Sequence, residues 1–257
     1  MTFLRSTLVL AWAASALACG HAADLALDPG GLSTGDASAD AAPDQLGRDA
    51  DGSTLTVDMF DDFEDGDLDV NAAGGRFGHW YNYADGTDGT NTIAVVTLDP
   101  QTERHPTYQA TSKMALRAQA AGYTTWGSGY SADVAASSPY DLSAYTGLIF
   151  WTKNLTSQSV SIRVALPDST SDPRGGKCDK SPDAAKEIAC YDPFAKDVVL
   201  LPGDWQVHML PFWTLRQGGW GLKAESFAVR EVFAVAVGQN TSVTYDYYID
   251  DIGFYIE

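Results

Sequence analysis

The chain is short of positive charge: 16 Lys and Arg stand against 34 Asp and Glu in 257 residues, a formal net charge of −18. That balance argues against nucleic-acid binding, which needs clustered Lys and Arg to displace phosphate counterions. It disfavours electrostatic attachment to anionic lipid for the same reason. Histidine is scarce as well. The four, His21, His79, His105 and His208, form no H-E-x-x-H or other paired-ligand spacing. Gly127-Ser128-Gly129 is not the G-x-S-x-G elbow of a serine hydrolase. There are three cysteines, Cys19, Cys178 and Cys190, and the last two have no nearby His to complete a zinc site. No internal repeat is visible, and no long segment carries the 3.6-residue apolar period of an amphipathic helix.

The first residues are a processing signal rather than fold. Arg5 charges the start, and the largely apolar run 8–17 is too short to span a bilayer. Ala16-Leu17-Ala18-Cys19 resembles a bacterial lipobox, departing from it at Ala16, where Leu is usual. On that reading 1–19 is a lipoprotein signal peptide, Cys19 is acylated and the protein is exported and anchored in a membrane of the cell envelope. Gly20, rather than Asp, after the acylated Cys favours the outer membrane. The alternative is an ordinary signal peptide cleaved after Ala18 or Ala23. Residues 20–54 hold no aromatic residue and are dominated by Ala, Asp, Gly and Ser. Such a segment cannot bury enough apolar surface to offset chain entropy, so a disordered acidic linker is expected there. Its typical span is on the order of 30 Å. If Cys19 carries lipid, Cys178 and Cys190 are a closed pair, and a disulfide between them would contribute about 3 kcal/mol in the chain-entropy model. The alternative, two free thiols, is disfavoured in an oxidising compartment.

Residues 55–257 fit one domain. Short β-type runs at 55–61, 78–83, 92–98, 114–118, 127–134, 147–153, 159–166, 197–201, 206–212, 229–238 and 244–256 are broken by Gly, Pro, Asp and Ser. A short helical turn is expected within 221–229. In the run 160–166, Val160, Ile162, Val164 and Leu166 share a face, and Ser161, Arg163 and Ala165 share the other. In the run 204–209, Trp205, Val207 and Met209 point one way, and Gln206 and His208 the other. So many short strands imply two packed sheets, an all-β jelly-roll β-sandwich. Trp151 and Trp205 are assigned to its core.

Four stretches, in order, carry a family resemblance: Met59-Phe60-Asp61-Asp62-Phe63-Glu64-Asp65-Gly66-Asp67; Gly74-Gly75-Arg76-Phe77-Gly78-His79-Trp80-Tyr81-Asn82-Tyr83-Ala84-Asp85; Trp126-Gly127-Ser128-Gly129 with the run 140–151; and Tyr248-Ile249-Asp250-Asp251-Ile252-Gly253-Phe254. The domain resembles the galactose-binding-domain-like β-sandwiches, among them carbohydrate-binding module family 11. The resemblance implies a structural Ca²⁺ where the first and last strands meet. Carboxylates brought together there would repel one another unless a hard cation with oxygen ligands neutralised them. Asp62 and Glu64 share a parity and, with Asp250, are the expected ligands; Asp65 and Asp251 stand in reserve.

The resemblance also implies a concave sheet that takes glycan. Sugars offer apolar CH faces to aromatic rings and hydroxyls to fixed polar groups. Arg163 and His208, read as facing away from the core, are the polar candidates, with Asp168 at the rim and Tyr83, Trp126 and Tyr130 as the aromatic ones. Most Trp and Tyr of a sandwich are packing residues, which is the competing reading for each ring. Three functions stay open. The first is non-catalytic binding of a polysaccharide or oligosaccharide. The second is a structural or protein-interaction lipoprotein whose sheet face is covered. The third is a glycoside hydrolase with two carboxylates in a cleft.

Overall fold

The computed structural model describes residues 44–48, 54–103, 112–136, 138–239 and 243–257. The signal segment, Cys19 and most of the expected linker lie outside them. The strands are β1 (Asp44–Arg48), β2 (Thr54–Asp61), β3 (Trp80–Ala84), β4 (Thr90–Thr97), β5 (Met114–Ala121), β6 (Ser128–Asp133), β7 (Gly147–Asn154), β8 (Val160–Leu166), β9 (Phe194–Leu200), β10 (Gln206–Pro211), β11 (Ala234–Gln239) and β12 (Tyr245–Ile256). Every strand expected from the sequence is present. β1 is an addition, falling inside the stretch expected to be linker. It pairs antiparallel with β2, whose edge would otherwise leave a row of backbone donors and acceptors unpaired. The helical turn expected within 221–229 is absent; turns and bends run there instead.

The strands form two antiparallel sheets. In the seven-stranded one, β12 is the hub. Its first half pairs with β5 and its second half with β2, while β7 runs along its other edge and β10 closes the sheet beyond β7. The second sheet has the order β3-β6-β11-β8-β9. Between them lies the main core, which includes Phe60, Phe63, Trp80, Tyr130, Phe150, Tyr247 and Phe254. Tyr245, Tyr247 and Ile249 of β12 enter this core, and so do Ile252 and Phe254. The parity changes because a bulge intervenes: the pairing slips between Asp250 and Gly253, and Asp251 takes a positive φ of 49°. One extra residue thereby keeps both halves of the strand facing inward.

The two outer faces are dressed differently. That of the seven-stranded sheet carries two further apolar clusters: Leu55, Val57, Ile149 and Tyr255 in one, Leu98, Ala115, Trp151, Trp205 and Tyr248 in the other. Trp151 and Trp205 are buried as expected, but in this outer layer rather than in the central core. The outer face of the five-stranded sheet is built from small residues, with Ala165, Ala195 and Ala236 as its apolar patch.

Phe254 is fully buried and packs against the rings of Phe60 and Tyr145. Phe254→Ala should lower unfolding stability by about 3–5 kcal/mol, read as a fall in the urea midpoint with an unchanged slope.

Candidate functional site

Arg163 leaves the core on β8, as its alternation predicts. The register across the sheet then sets one row on the outer face: Tyr83 opposite Gly129, Gly129 opposite Gly238, Gly238 opposite Arg163, and Arg163 opposite Asp197. The next outward row runs Tyr81, Ser131, Ala236, Ala165 and Ala195. The first row has large side chains toward its ends and glycines between, which makes a groove across the strands; the second is large only at Tyr81, and its Ser131, Ala236, Ala165 and Ala195 are buried. Gly129 has to lack a side chain because the Tyr83 ring covers it: a Cβ would stand 2.5 Å from that ring, and one at Gly238 3.1 Å from the Tyr83 hydroxyl. Tyr83 therefore lies across that strand, and burial pushes its hydroxyl pKa up.

Each end of the first row carries an exposed tryptophan. At the β3 end, Trp126 is 52% exposed, and its ring lies 6.1 Å from that of Tyr83 at 30°. At the β8 end, Trp220 is 49% exposed, with the Arg163 guanidinium 5.3 Å from its ring centroid. Arg163 also holds Asp197 at 3.0 Å, which offsets its charge. From β3 to β8 the row crosses three interstrand steps, on the order of 14 Å. Aromatic faces at both ends, with a paired guanidinium and carboxylate beside one of them, can stack on apolar ring faces and bond hydroxyls.

Both tryptophans sit on glycine-containing loops folded around a carboxylate. Asp85 Oδ2 accepts the backbone N–H groups of Thr125, Trp126 and Gly127 at 2.9, 3.0 and 2.9 Å. Those bonds, with Thr87, favour the charged form and hold the Asp85 carboxyl well below the usual range, against the opposing effect of desolvation, the largest single contribution. Buried Asp192 plays the same part for the second loop. Its Oδ1 accepts from Gly218 at 2.7 Å, and its Oδ2 from Gly219, Trp220 and Gly221 at 2.8, 3.0 and 3.2 Å.

Of the residues expected for glycan, Arg163, Tyr83 and Trp126 are brought to this one face. Three others are not. Tyr130 is fully buried, its hydroxyl 2.9 Å from that of Tyr247 in the core. Gly129 and Ser131 beside it occupy the outer face, so the bulky residue of that strand turns inward. Asp168 is fully buried, and its carboxylate is consumed by Thr170, Ser171 and Ala228, stapling a turn rather than lining a rim. His208 belongs to the other sheet. It faces inward beside Phe150 at 5.1 Å between rings and bonds Thr152 Oγ1 at 2.8 Å. The alternation of β10 was right and its inner face was inverted, because both faces of that sheet are covered by apolar side chains.

Of the carboxylates expected for calcium, Glu64 lies near enough to Asp250 for its charge to act there, and Asp62 is turned toward Asn71. β2 ends at Asp61 and Phe63 takes φ 54°, so the parity of Asp62 and Glu64 no longer places them together. Glu64 Oε1 accepts from the backbone N–H groups of Lys113 and Met114 at 2.6 and 2.9 Å. Asp62 Oδ1 is 3.4 Å from Asn71 Nδ2. Asp250 is buried, bonded to Ser112 Oγ at 2.9 Å and to the Asp251 N–H at 2.8 Å. Among the described residues no group of three or more His, Cys, Asp or Glu side chains is placed to hold a metal ion. Burial, and then the charge of Asp251, push the Asp250 pKa well up.

Sequence reasoning missed Trp220, Tyr81, Asp197 and the two loop-holding carboxylates. A signal for one of them was present: Gly218-Gly219-Trp220-Gly221 repeats the Trp-Gly pair of Trp126-Gly127. The disulfide was legible, and Cys178 and Cys190 are bonded.

The fold is that of the carbohydrate-binding-module β-sandwiches. The chain is similar to the family 11 carbohydrate-binding module from Clostridium thermocellum in complex with a β-1,3-1,4-mixed-linked tetrasaccharide, at 13% identity and a TM-score of 0.50 over 77% of this chain and 94% of that one. It is similar also to the solution structure of CtCBM11, at 14% identity and a TM-score of 0.50 over 78% and 95%. No family model and no curated protein matches the sequence.

Two buried groups set opposing pH dependences. Burial raises Asp61, which accepts from the Trp80 indole at 2.7 Å, from 3.8 to about 7. Between those values the native state keeps a proton that the unfolded chain releases, so this contribution to stability is lost as pH rises. Burial lowers His208 from 6.5 to about 4. There the unfolded chain binds the extra proton, so stability rises with pH. In denaturant series from about pH 4.5 to 6.5, Asp61→Asn should tilt the stability curve upward relative to the parent and His208→Gln should tilt it downward. Parallel curves for all three would remove the assignment.

Proposed function

We propose that the domain binds carbohydrate without catalysis, on the outer face of the five-stranded sheet. The observation that carries this reading is the row from Tyr83 to Asp197: a side-chain-poor floor between a Tyr–Trp pair at one end and an Arg–Trp pair at the other. The Arg163–Asp197 pair is near neutral, which suits a neutral polysaccharide or oligosaccharide, such as a β-glucan, better than a charged one. A likeness of fold to family 11 modules, one of them holding a mixed-linked tetrasaccharide, supports the reading. The structure offers little toward hydrolysis, because the most deeply buried carboxylates, Asp61, Asp168, Asp192 and Asp250, are each bonded to the protein's own donors.

The lipobox-like Cys19 and the segment after it complete the proposal: an acylated Cys tethers the module to the cell envelope and keeps captured glycan close. Metabolic labelling with a palmitate analogue should mark the protein, and Cys19→Ser should abolish the label and release the protein to the soluble fraction. For the binding face, affinity electrophoresis on a panel of neutral glycans should show retardation on at least one. Trp126→Ala should then weaken binding about tenfold, the size of one stacking contact. Unchanged mobility on every glycan would favour the rival reading, a sandwich lipoprotein serving protein contacts.

A further inference from the structure

Most anchors of the Trp220 loop come from the segment 189–192 around Cys190, while Arg216 just before the loop exchanges two backbone bonds with Ala195. Leu222 N–H donates to Ala189 O at 2.8 Å. The Trp220 indole N–H donates to Tyr191 O at 2.9 Å. Gln217 Nε2 donates to Asp192 O at 2.8 Å, and the Asp192 carboxylate takes the N–H groups of residues 218 to 221. Gly221 lies so close that a Cβ would stand 2.8 Å from Ala189 O. The segment 189–192 is in turn fixed at Cys190, through its bond to Cys178 and through Cys190 N–H donating to Asp179 O at 2.9 Å, and at Tyr191, whose N–H donates to Ser171 O at 2.8 Å, shortly before β9 begins. The Trp126 loop has no such dependence: Asp85 on the segment after β3 supplies its anchor.

We propose that the Cys178–Cys190 disulfide and Asp192 together form the seat of Trp220, so that the β8 half of the glycan groove is assembled only in the oxidised protein. This deepens the carbohydrate reading and rests on it. Asp192 is a positioning residue: it acts through the indole and makes no contact with ligand. The sandwich itself does not need the bond, since its core is built from strands on which neither cysteine lies. A dithiol that reduces the disulfide transfers two electrons and two protons, becomes a cyclic disulfide itself and leaves Cys178 and Cys190 as thiols. Freed of that tie, the segment 178–190 gains conformational entropy, and the loop docked on it is left with a partner held only from the Tyr191 and β9 side. The groove then keeps the Tyr83–Trp126 end and loses the other.

The test uses the full mature chain, with the β-1,3-1,4-mixed-linked tetrasaccharide and the best-retained polysaccharide of the panel as probes. Reduction under native conditions, Cys178→Ser with Cys190→Ser, and Asp192→Asn should each weaken binding about tenfold, matching Trp220→Ala. None should add to the loss in the Trp220→Ala background, whereas Trp126→Ala should add in full to each. In protein labelled with 5-fluorotryptophan, reduction should move the Trp220 resonance, assigned by Trp220→Phe, toward its value in unfolded chain and leave the Trp126 resonance in place. That readout needs no ligand. Binding and a Trp220 resonance indifferent to reduction would overturn the proposal while leaving the glycan reading intact. An oxidised parent that binds none of the probes, with Trp220→Ala and Trp126→Ala equally silent, would overturn the glycan reading and this proposal with it.

Discussion

The period-two alternation of β12 is the constraint on which the rest of the sandwich depends. This strand touches β2, β5 and β7, so its side chains decide what both sheets can enclose. An uninterrupted strand with Tyr245, Tyr247 and Ile249 inward would turn Ile252 and Phe254 outward, and Phe60 would lose one of its two ring partners. The Asp250–Asp251 bulge removes that conflict at the cost of two buried carboxylates. The Asp250 carboxylate accepts from Ser112 Oγ and from the Asp251 N–H, and Asp250 keeps a raised pKa. The acidic pair near the end of the chain thus reads as the consequence of a register correction before it reads as a ligand set.

With both β12 halves inward, the outer faces are left to differ. The seven-stranded sheet is covered on its outside by the Trp151–Trp205–Tyr248 layer, so it offers little bare surface to a ligand. The five-stranded sheet instead sets Gly, Ser and Ala across its middle strands. A face of small side chains between large ones is concave by construction, and an extended ligand crossing the strands meets backbone and ring rather than a crowd of flexible chains.

How much of this could be read from the sequence depended on whether a strand had one covered face or two. On β8 the apolar side is central core, while Ser161 and Arg163 on the other side reach solvent, so alternation alone places Arg163. On β10 both sides are covered, and Trp205 beside His208 drew the reading toward the wrong side, since a period of two separates faces without saying which is interior. Tyr130 was misplaced because its chemistry was weighed before its neighbours, Gly129 and Ser131, whose small size marks the open face. Asp168 opens the run Asp168-Ser169-Thr170-Ser171, a sequence suited to side-chain capping of its own turn. Trp220 and Asp192 stand 28 residues apart, and only the folded chain brings them together.

The two loop-holding carboxylates explain how exposed tryptophans can be firm. An indole on a free loop loses conformational freedom when ligand arrives, and that loss subtracts from affinity. Three or four N–H bonds to one carboxylate fix the loop beforehand, and each is a charge-assisted bond. Glycine beside each Trp is what lets the backbone wrap that closely. The arrangement recurs at both ends of the groove on unrelated stretches of chain, 125–127 around Asp85 and 218–221 around Asp192. Packing alone would account for either loop, since carboxylates commonly satisfy turn N–H groups. Packing does not require that both loops end in an indole left half in solvent beside the same side-chain-poor row, and that coincidence is what ties the two seats to a single bound chain.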